Sequence, residues 1–326
     1  MTRLGYQIPN FTYAGIDQSG LFEAVAAQAK AADESGFDTV FLMDHFYQLP
    51  MLGPPENYML ECYTTLGALA RETKNVRLSA LVTGNTYRNP TLLAKIITTL
   101  DVVSNGRAML GIGAGWFELE HNALGFEFGT FSDRFEKLEE ALQIILPMLR
   151  GERPSLDGAH YRVNDAINQP PPVGRIPVMI GGSGEKKTLR MVAQYADESN
   201  LTSQFVELPR KLDVLAAHCE RLERARNEIT LSQHLNVVIA EPRDEAYKDV
   251  GQFLRDRGID IETADDVFRT QILDAVVWGD ADQVGEKLTQ VVELGAQGIT
   301  CSLPGHGHLP GRIEQLGRTA SKVLGL

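Results

Sequence analysis

Short apolar, β-branched runs recur along the chain, and each is followed by a stretch whose apolar positions repeat every three to four residues. The runs predict strands near 3–8 (RLGYQI), 38–43 (DTVFLM), 76–82 (VRLSALV), 107–112 (RAMLGI), 176–180 (IPVMI), 198–202 (ESNLT), 234–240 (HLNVVIA) and 297–302 (QGITCS). The periodic stretches predict helices near 18–35, 59–72, 90–103, 132–150, 184–196, 206–228, 281–294 and 311–324. Leu138, Leu142, Ile145 and Leu149 fall on one helical face, as do Leu92, Ile96 and Leu100. Pro90 in a first turn, Ser132-Asp133 before the fourth long helix, and Gly36 and Gly295 after last turns act as start and stop signals. Eight alternating strand–helix units predict an α/β fold, a (β/α)8 (TIM) barrel forming one domain over residues 1–326. The chain exceeds the usual ~250 residues of such barrels, and the excess falls in two expected insertions, at 151–175 after the fourth strand and 241–280 after the seventh. A doubly wound open sheet would need a break in the alternation, which is not found.

Composition narrows the partners. With 31 basic and 43 acidic residues the formal charge is -12, and the basic residues are scattered, which argues against a nucleic-acid or anionic-membrane surface. Cys62, Cys219 and Cys301 are odd in number and far apart, fitting a reducing compartment and neither a disulfide framework nor a zinc site. No apolar run reaches the ~20 residues of a membrane span, and the N-terminal MTRLGYQIPN has no signal-peptide character, so a cytoplasmic location is expected.

Barrel chemistry belongs at the C-terminal ends of the strands. The residues there are Asp44-His45-Phe46, Thr83-Gly84-Asn85-Thr86, Gly113-Ala114-Gly115-Trp116, Gly181-Gly182-Ser183-Gly184, Thr202-Ser203 and Pro304-Gly305-His306-Gly307-His308. The run from Gly111 to Gly115 lacks the third glycine and distant acid of a dinucleotide fingerprint; it lets a flat ligand lie on bare backbone, or it packs the barrel tightly. Gly181–Gly184, opening a helix with Lys186 and Lys187 in its first turn, suits an anion such as a phosphate; a flexible turn with solvated lysines is the alternative. Asp44-His45 suits a proton shuttle or a structural cap. His306 and His308 suggest a metal site, but two imidazoles need further ligands, so a metal-dependent hydrolase is a weak alternative and no metal is expected. Ser183 has no Gly-x-Ser-x-Gly context for a nucleophile.

Three stretches, FLMDHF (41–46), LVTGNTYRNPTLLAKIITTLDVVSNGRAMLGIGAGWFELEH (81–121) and VMIGGSGEKKTLRMVAQYADESNLTS (178–203), resemble the luciferase-like monooxygenase superfamily. Within it the chain resembles actinobacterial coenzyme F420-dependent oxidoreductases. The resemblance implies an enzyme that transfers a hydride between F420 and a small organic substrate, with His45 as proton donor or acceptor beside Asp44. It implies a cofactor ring lying over Leu81 and Thr83, with a non-proline cis peptide at Ala80–Leu81. It further implies that Ala114 and Gly115 run along the cofactor, and that Gly181, Gly182, Ser183, Gly184 and Thr202 surround its phosphate. Where the F420-dependent sugar-phosphate dehydrogenases of this superfamily carry a catalytic Glu, this chain has Trp116, an aromatic wall; Glu118, Glu120 and His121 remain as other proton sources. A pocket lined by Phe11, Tyr47, Trp116 and Phe117 favours an apolar or aromatic substrate. The principal alternative is an FMN-dependent two-component monooxygenase of the alkanesulfonate or luciferase type, which needs a reductase partner; F420 likewise needs a reductase as supplier. A non-catalytic barrel subunit is a weaker one. Members of the superfamily are often homo-oligomers, dimers or tetramers.

Overall fold

The structure is a computed structural model that describes residues 3–274 and 276–326. Strands and helices alternate as the apolar pattern requires. The first half runs β1 (Arg3–Ile8), α1 (Leu21–Glu34), β2 (Thr39–Leu42), α2 (Cys62–Glu72), β3 (Arg77–Ala80), β4 (Thr83–Gly84), α3 (Pro90–Ser104), β5 (Leu110–Gly113), α4 (Glu118–Leu124) and α5 (Phe131–Leu149). A small hairpin, β6 (Leu156–Asp157) and β7 (Arg162–Val163), precedes β8 (Val178–Gly181), α6 (Thr188–Tyr195), β9 (Glu198–Leu201), α7 (Leu208–Arg221) and β10 (Thr230–Ile239). The chain ends with α8 (Arg243–Arg255), α9 (Asp266–Asp274), β11 (Val277–Gly279), α10 (Ala281–Glu293), β12 (Gly298–Ser302) and α11 (Arg312–Leu324).

Ten strands form one parallel sheet in the order β3-β2-β1-β12-β10-β9-β8-β5-β4, with β11 pairing the far end of β10. β3 and β4 are two halves of one interrupted strand: β3 pairs β2, β4 pairs β5, and a bridge from Leu78 to Ala108 joins β3 to the start of β5, so the sheet closes on itself. With β11 set aside and the interrupted strand counted once, eight positions surround the axis, as the alternation predicts. The non-proline cis peptide lies at Leu81–Val82, one residue later than expected. Leu81 N–H still donates to Leu42 O at 2.8 Å, so the ladder to β2 holds through Leu81 and the strand changes partner only after it.

Helix packing surrounds the barrel with an apolar layer built from Leu66 and Leu69 of α2, Ile97 of α3, Leu142 and Ile145 of α5 and Leu316 of α11, all fully buried. Local signals place the helix starts: Asn89 caps α3 ahead of Pro90, and Thr130/Asp133 and Asp280/Gln283 form reciprocal capping boxes on α5 and α10. Several expected bounds move. The face of α3 is turned by one residue, with Leu93, Ile97 and Leu100 buried and Leu92 53% exposed. The seventh strand starts at Thr230, four residues early, and the helix expected from 184 starts at Thr188, after a turn over 185–187. The helix expected over 206–228 is α7 flanked by short 3-10 turns, and α4 is an additional helix. The 151–175 segment holds the β6–β7 hairpin, and 241–280 holds α8, α9 and β11.

The barrel interior is divided. Phe41, Met109 and Met179 fill the side beneath β2, β5 and β8, with Leu81 and Val82 resting on them. The side beneath β9, β10, β12 and β1 is polar: Asn200 Nδ2 donates to Ser232 Oγ (2.9 Å) and Thr300 Oγ1 (3.1 Å), and Gln7, His234 and Ser302 continue the network upward.

Candidate active site

His45 follows β2 at the barrel mouth, and its Nδ1 lies 2.9 Å from Oε2 of Glu120, a fully buried residue of α4. The same carboxylate accepts from Phe46 N (2.5 Å), Tyr47 N (2.7 Å) and Tyr87 Oη (2.6 Å). Burial acts to raise the Glu120 pKa, but hydrogen bonds from His45 and Tyr87 and the backbone outweigh it and hold the group below the ordinary carboxylate range. A carboxylate held this way accepts from Nδ1–H, so it fixes the tautomer in which Nε2 carries the free lone pair. Trp116, 54% exposed, and Phe117 flank the imidazole edge-on at ring-centroid distances of 5.9 and 5.7 Å.

Asp44 turns the other way. It is buried, takes a bidentate ion pair from Arg88 (2.6 and 2.8 Å) and accepts from Gly84 N (3.0 Å). Arg88 also reaches Glu61 at 2.8 Å and lies over the Tyr63 ring, whose hydroxyl bonds Thr83 Oγ1. Asp44, Ala80 and Thr83 are therefore all buried, and their side chains support the mouth from behind rather than line it. Phe11, expected in the pocket wall, is instead fully buried in the apolar layer, where burial of its ring is favoured over exposure at the mouth. Tyr47 and Phe117 pack with Met43, Leu49, Leu52 and Met59 beside the mouth.

On the adjoining strand ends, Leu81, Val82, Ala114, Gly115, Gly181 and Gly182 are partly exposed and make a shelf with little side-chain relief. A Cβ on Gly113 or Gly181 would meet the Val82 side chain at 2.9 or 2.8 Å, so those glycines make room for Val82, and a Cβ on Gly111 would strike the Ala80 carbonyl oxygen. Tight packing thus accounts for Gly111, Gly113 and Gly181. Gly115 and Gly182 differ: their φ values of 81° and 118° are open to glycine and strained for other residues. Ser183 Oγ accepts from Thr202 N and Ser203 N, each at 3.1 Å, tying the 181–184 loop to the end of β9.

The two lysines of that loop do not crowd it. Lys186 is exposed, and Lys187 donates to Ser132 Oγ at 3.0 Å beside Phe131 and Phe135. The cation behind the loop is Lys211 of α7, nearly buried, donating to Ser183 O (3.1 Å) and Glu185 Oε1 (2.9 Å). Of the acids near Trp116, Glu118 is exposed, Glu120 holds His45, and His121 is buried between Thr86 Oγ1 (2.6 Å) and Phe117 O (2.8 Å). His306 lies 3.5 Å from Asp249 and His308 lies tilted against Tyr13, and among the described residues no three His, Cys, Asp or Glu side chains converge as metal ligands.

Such an α/β barrel, with a carboxylate-aligned histidine and a flat shelf together at the strand ends, has the architecture of a barrel enzyme. The chain belongs to the luciferase-like monooxygenase family, whose model matches residues 2–298. It is 28% identical over 321 residues to an F420-dependent glucose-6-phosphate dehydrogenase of Nakamurella multipartita, covering 93% of this chain and 91% of that one. It is 35% identical over 173 residues to another so named from Microbacterium testaceum, where the match spans 53% of this chain and only half of the relative's length. Among solved structures, the coenzyme F420-dependent tetrahydromethanopterin reductase of Methanopyrus kandleri superimposes with a TM-score of 0.77 at 20% identity, covering 98% of this chain and 99% of that one. An FMN complex of the oxygenating constituent of 3,6-diketocamphane monooxygenase from Pseudomonas putida gives 0.78 at 19%, with 99% and 98% covered. These two likenesses concern the fold.

Proposed function

We propose that the protein is a coenzyme F420-dependent oxidoreductase that transfers a hydride between the deazaflavin and a small organic substrate. The observation that carries this reading is the Glu120-aligned His45 at the same barrel mouth as the shelf of Leu81, Val82, Ala114, Gly115 and Gly182; the relatives named for F420 supply the cofactor class. The shelf fits a planar ring: it is apolar beneath, from Phe41, Met109 and Met179, and the left-handed backbone at Gly115 and Gly182 keeps side chains off its edge. The backbone N–H groups of Ser183 and Gly184, ahead of α6, would hold the phosphate, with Gly182 and the Thr202 side chain bordering it, because the N–H groups of Gly182 and Thr202 are spent on Asn200 O and Ser183 Oγ. When bound, F420 supplies the two-electron carrier.

The chain's own residues do the rest. His45 presents Nε2 to the substrate oxygen, taking its proton when an alcohol is oxidised or, in the protonated form, returning one when a carbonyl is reduced, and Glu120 stabilises the imidazolium. Trp116 and Phe117 exclude water from that side, and with Tyr47 they favour an apolar or aromatic substrate body. Trp116 contributes no proton, so the sugar-phosphate chemistry for which the relatives are named does not follow from this site. Family membership also supports assembly as a homo-oligomer and dependence on a reductase that regenerates the cofactor.

Equilibrium titration of the purified protein with F420 and with FMN tests the assignment. Micromolar F420 binding, weakened at least tenfold by Gly182→Val, is the expected result. Absence of F420 binding together with tight FMN binding would assign the protein to the FMN-dependent monooxygenases instead.

A further inference from the structure

The polar half of the barrel interior ends in a cluster that the His45 chemistry leaves unused. Gln7 of β1, Ser302 of β12 and Asn236 of β10 stand side by side in register near the C-terminal ends of three adjacent strands, and His234 lies one step below Asn236 on the same face of β10. Gln7 Nε2 donates to Leu81 O at 3.4 Å, which leaves Gln7 Oε1 as the acceptor facing His234 Nε2 at 2.8 Å. His234 therefore carries its proton on Nε2. Ser302 Oγ, 3.1 Å from that N–H, donates its own proton to Asn236 Oδ1 at 3.0 Å.

This chain of bonds has an open end. Among the described residues neither His234 Nδ1 nor Asn236 Nδ2 has a partner, and neither is one of the polar atoms sealed from solvent. One is a lone pair, the other a pair of N–H donors, and both flank Ser302. Burial pushes the His234 pKa down to about 4, so the ring adds no charge at neutral pH. Three arginines of the surrounding loops and helices are committed elsewhere: Arg88 to Asp44 and Glu61, Arg257 to the carbonyls of Met51 and Leu52, and Arg312 to Ile239 O, Glu245 and Asp249.

We infer that Asn236 and His234, held by Ser302 and Gln7, form a second subsite for a neutral oxygen of the substrate, a ketone carbonyl or an alcohol hydroxyl. A carbonyl accepts from Asn236 Nδ2; a hydroxyl does so and also donates to His234 Nδ1. With those arginines committed, phosphate, sulfonate and carboxylate groups gain no cation from them, and desolvating an anion without one is costly. The subsite lies three strand positions around the barrel from His45, so it orients the substrate by an oxygen other than the reacting one. The inference deepens the oxidoreductase reading and rests on it for the reaction only.

Ligand-observed NMR with cyclohexanone and cyclohexyl phosphate, on the full chain with and without F420, decides it. Cyclohexanone is expected to bind in both states and more tightly than cyclohexyl phosphate, with Asn236→Leu weakening it at least tenfold and Ser302→Ala, which unpins the amide, several-fold. F420 affinity should stay within twofold in both variants. Equal binding to the variants, tighter binding of the phosphate, loss of cyclohexanone binding when F420 is added, or no binding at tens of millimolar would each overturn the subsite. Should Asn236→Leu fail to melt cooperatively, Ser302→Ala alone decides. If the wild-type protein binds no F420, the proposed function falls, and the measurements on the unloaded protein still judge the subsite.

Discussion

Glu120 is the residue on which most of the site converges. One buried carboxylate serves His45, two backbone N–H groups and Tyr87, so its removal strands several polar groups at once. Glu120→Ala should lower stability by about 2–4 kcal/mol, read as a drop in the denaturant midpoint. Glu120→Gln keeps the shape but not the charge, and should slow turnover by on the order of tenfold or more, short of the ~10²–10⁴ that a general acid–base group itself supplies. If Glu120 acts through His45, the double variant His45→Ala/Glu120→Gln is no slower than His45→Ala alone. Additive losses would show that the carboxylate acts by another route.

At the scale of elements, the closure of the barrel depends on how closely β3 and β5 approach. Gly111 faces the Ala80 carbonyl with no space for a methyl group, and backbone cannot move aside as a flexible side chain can. Gly111→Ala should therefore cost about 3 kcal/mol. Gly67, inside α2 with open space beside it for a methyl group, is the contrast; Gly67→Ala should gain about 0.5–1 kcal/mol by helix propensity. Equal effects of the two on melting would remove the steric argument. The same comparison explains what could be read in advance. Apolar runs and helical periods report on faces that each element buries by itself, so the order and type of the eight units were legible from residues such as Leu142 and Ile145. Glycine roles were not, because a neighbour such as Val82 or Ala80 comes from another strand. Glu120 stood among the acids after Trp116, yet nothing in its local pattern says that α4 turns it toward a histidine 75 positions earlier.

For the molecule as a whole, acid stability should show two windows. The unfolded chain binds a proton at His234 near its ordinary value of 6.5, whereas the folded chain does so only near 4. Unfolding thus takes up a proton between these values, and stability should rise with pH from about 4 to 6.5 and level off above. Glu120, held below the carboxylate range, adds stability that is complete above that range and lost as pH falls through its lowered value. Thermal melts from pH 4 to 7.5 on the wild type and His234→Gln should show a shallower slope in the variant, and identical slopes would contradict the buried neutral ring. The divided interior has a further consequence, for how such a barrel diversifies. Side chains that would seat the planar ring lie beneath β2, β5 and β8, while those that would sort substrates lie beneath β9 to β1, the Gln7 bond to Leu81 O joining the two sides. Changes at distant, unshared positions combine nearly independently, so lineages carrying this scaffold can exchange what they act on while inheriting their electron carrier unaltered.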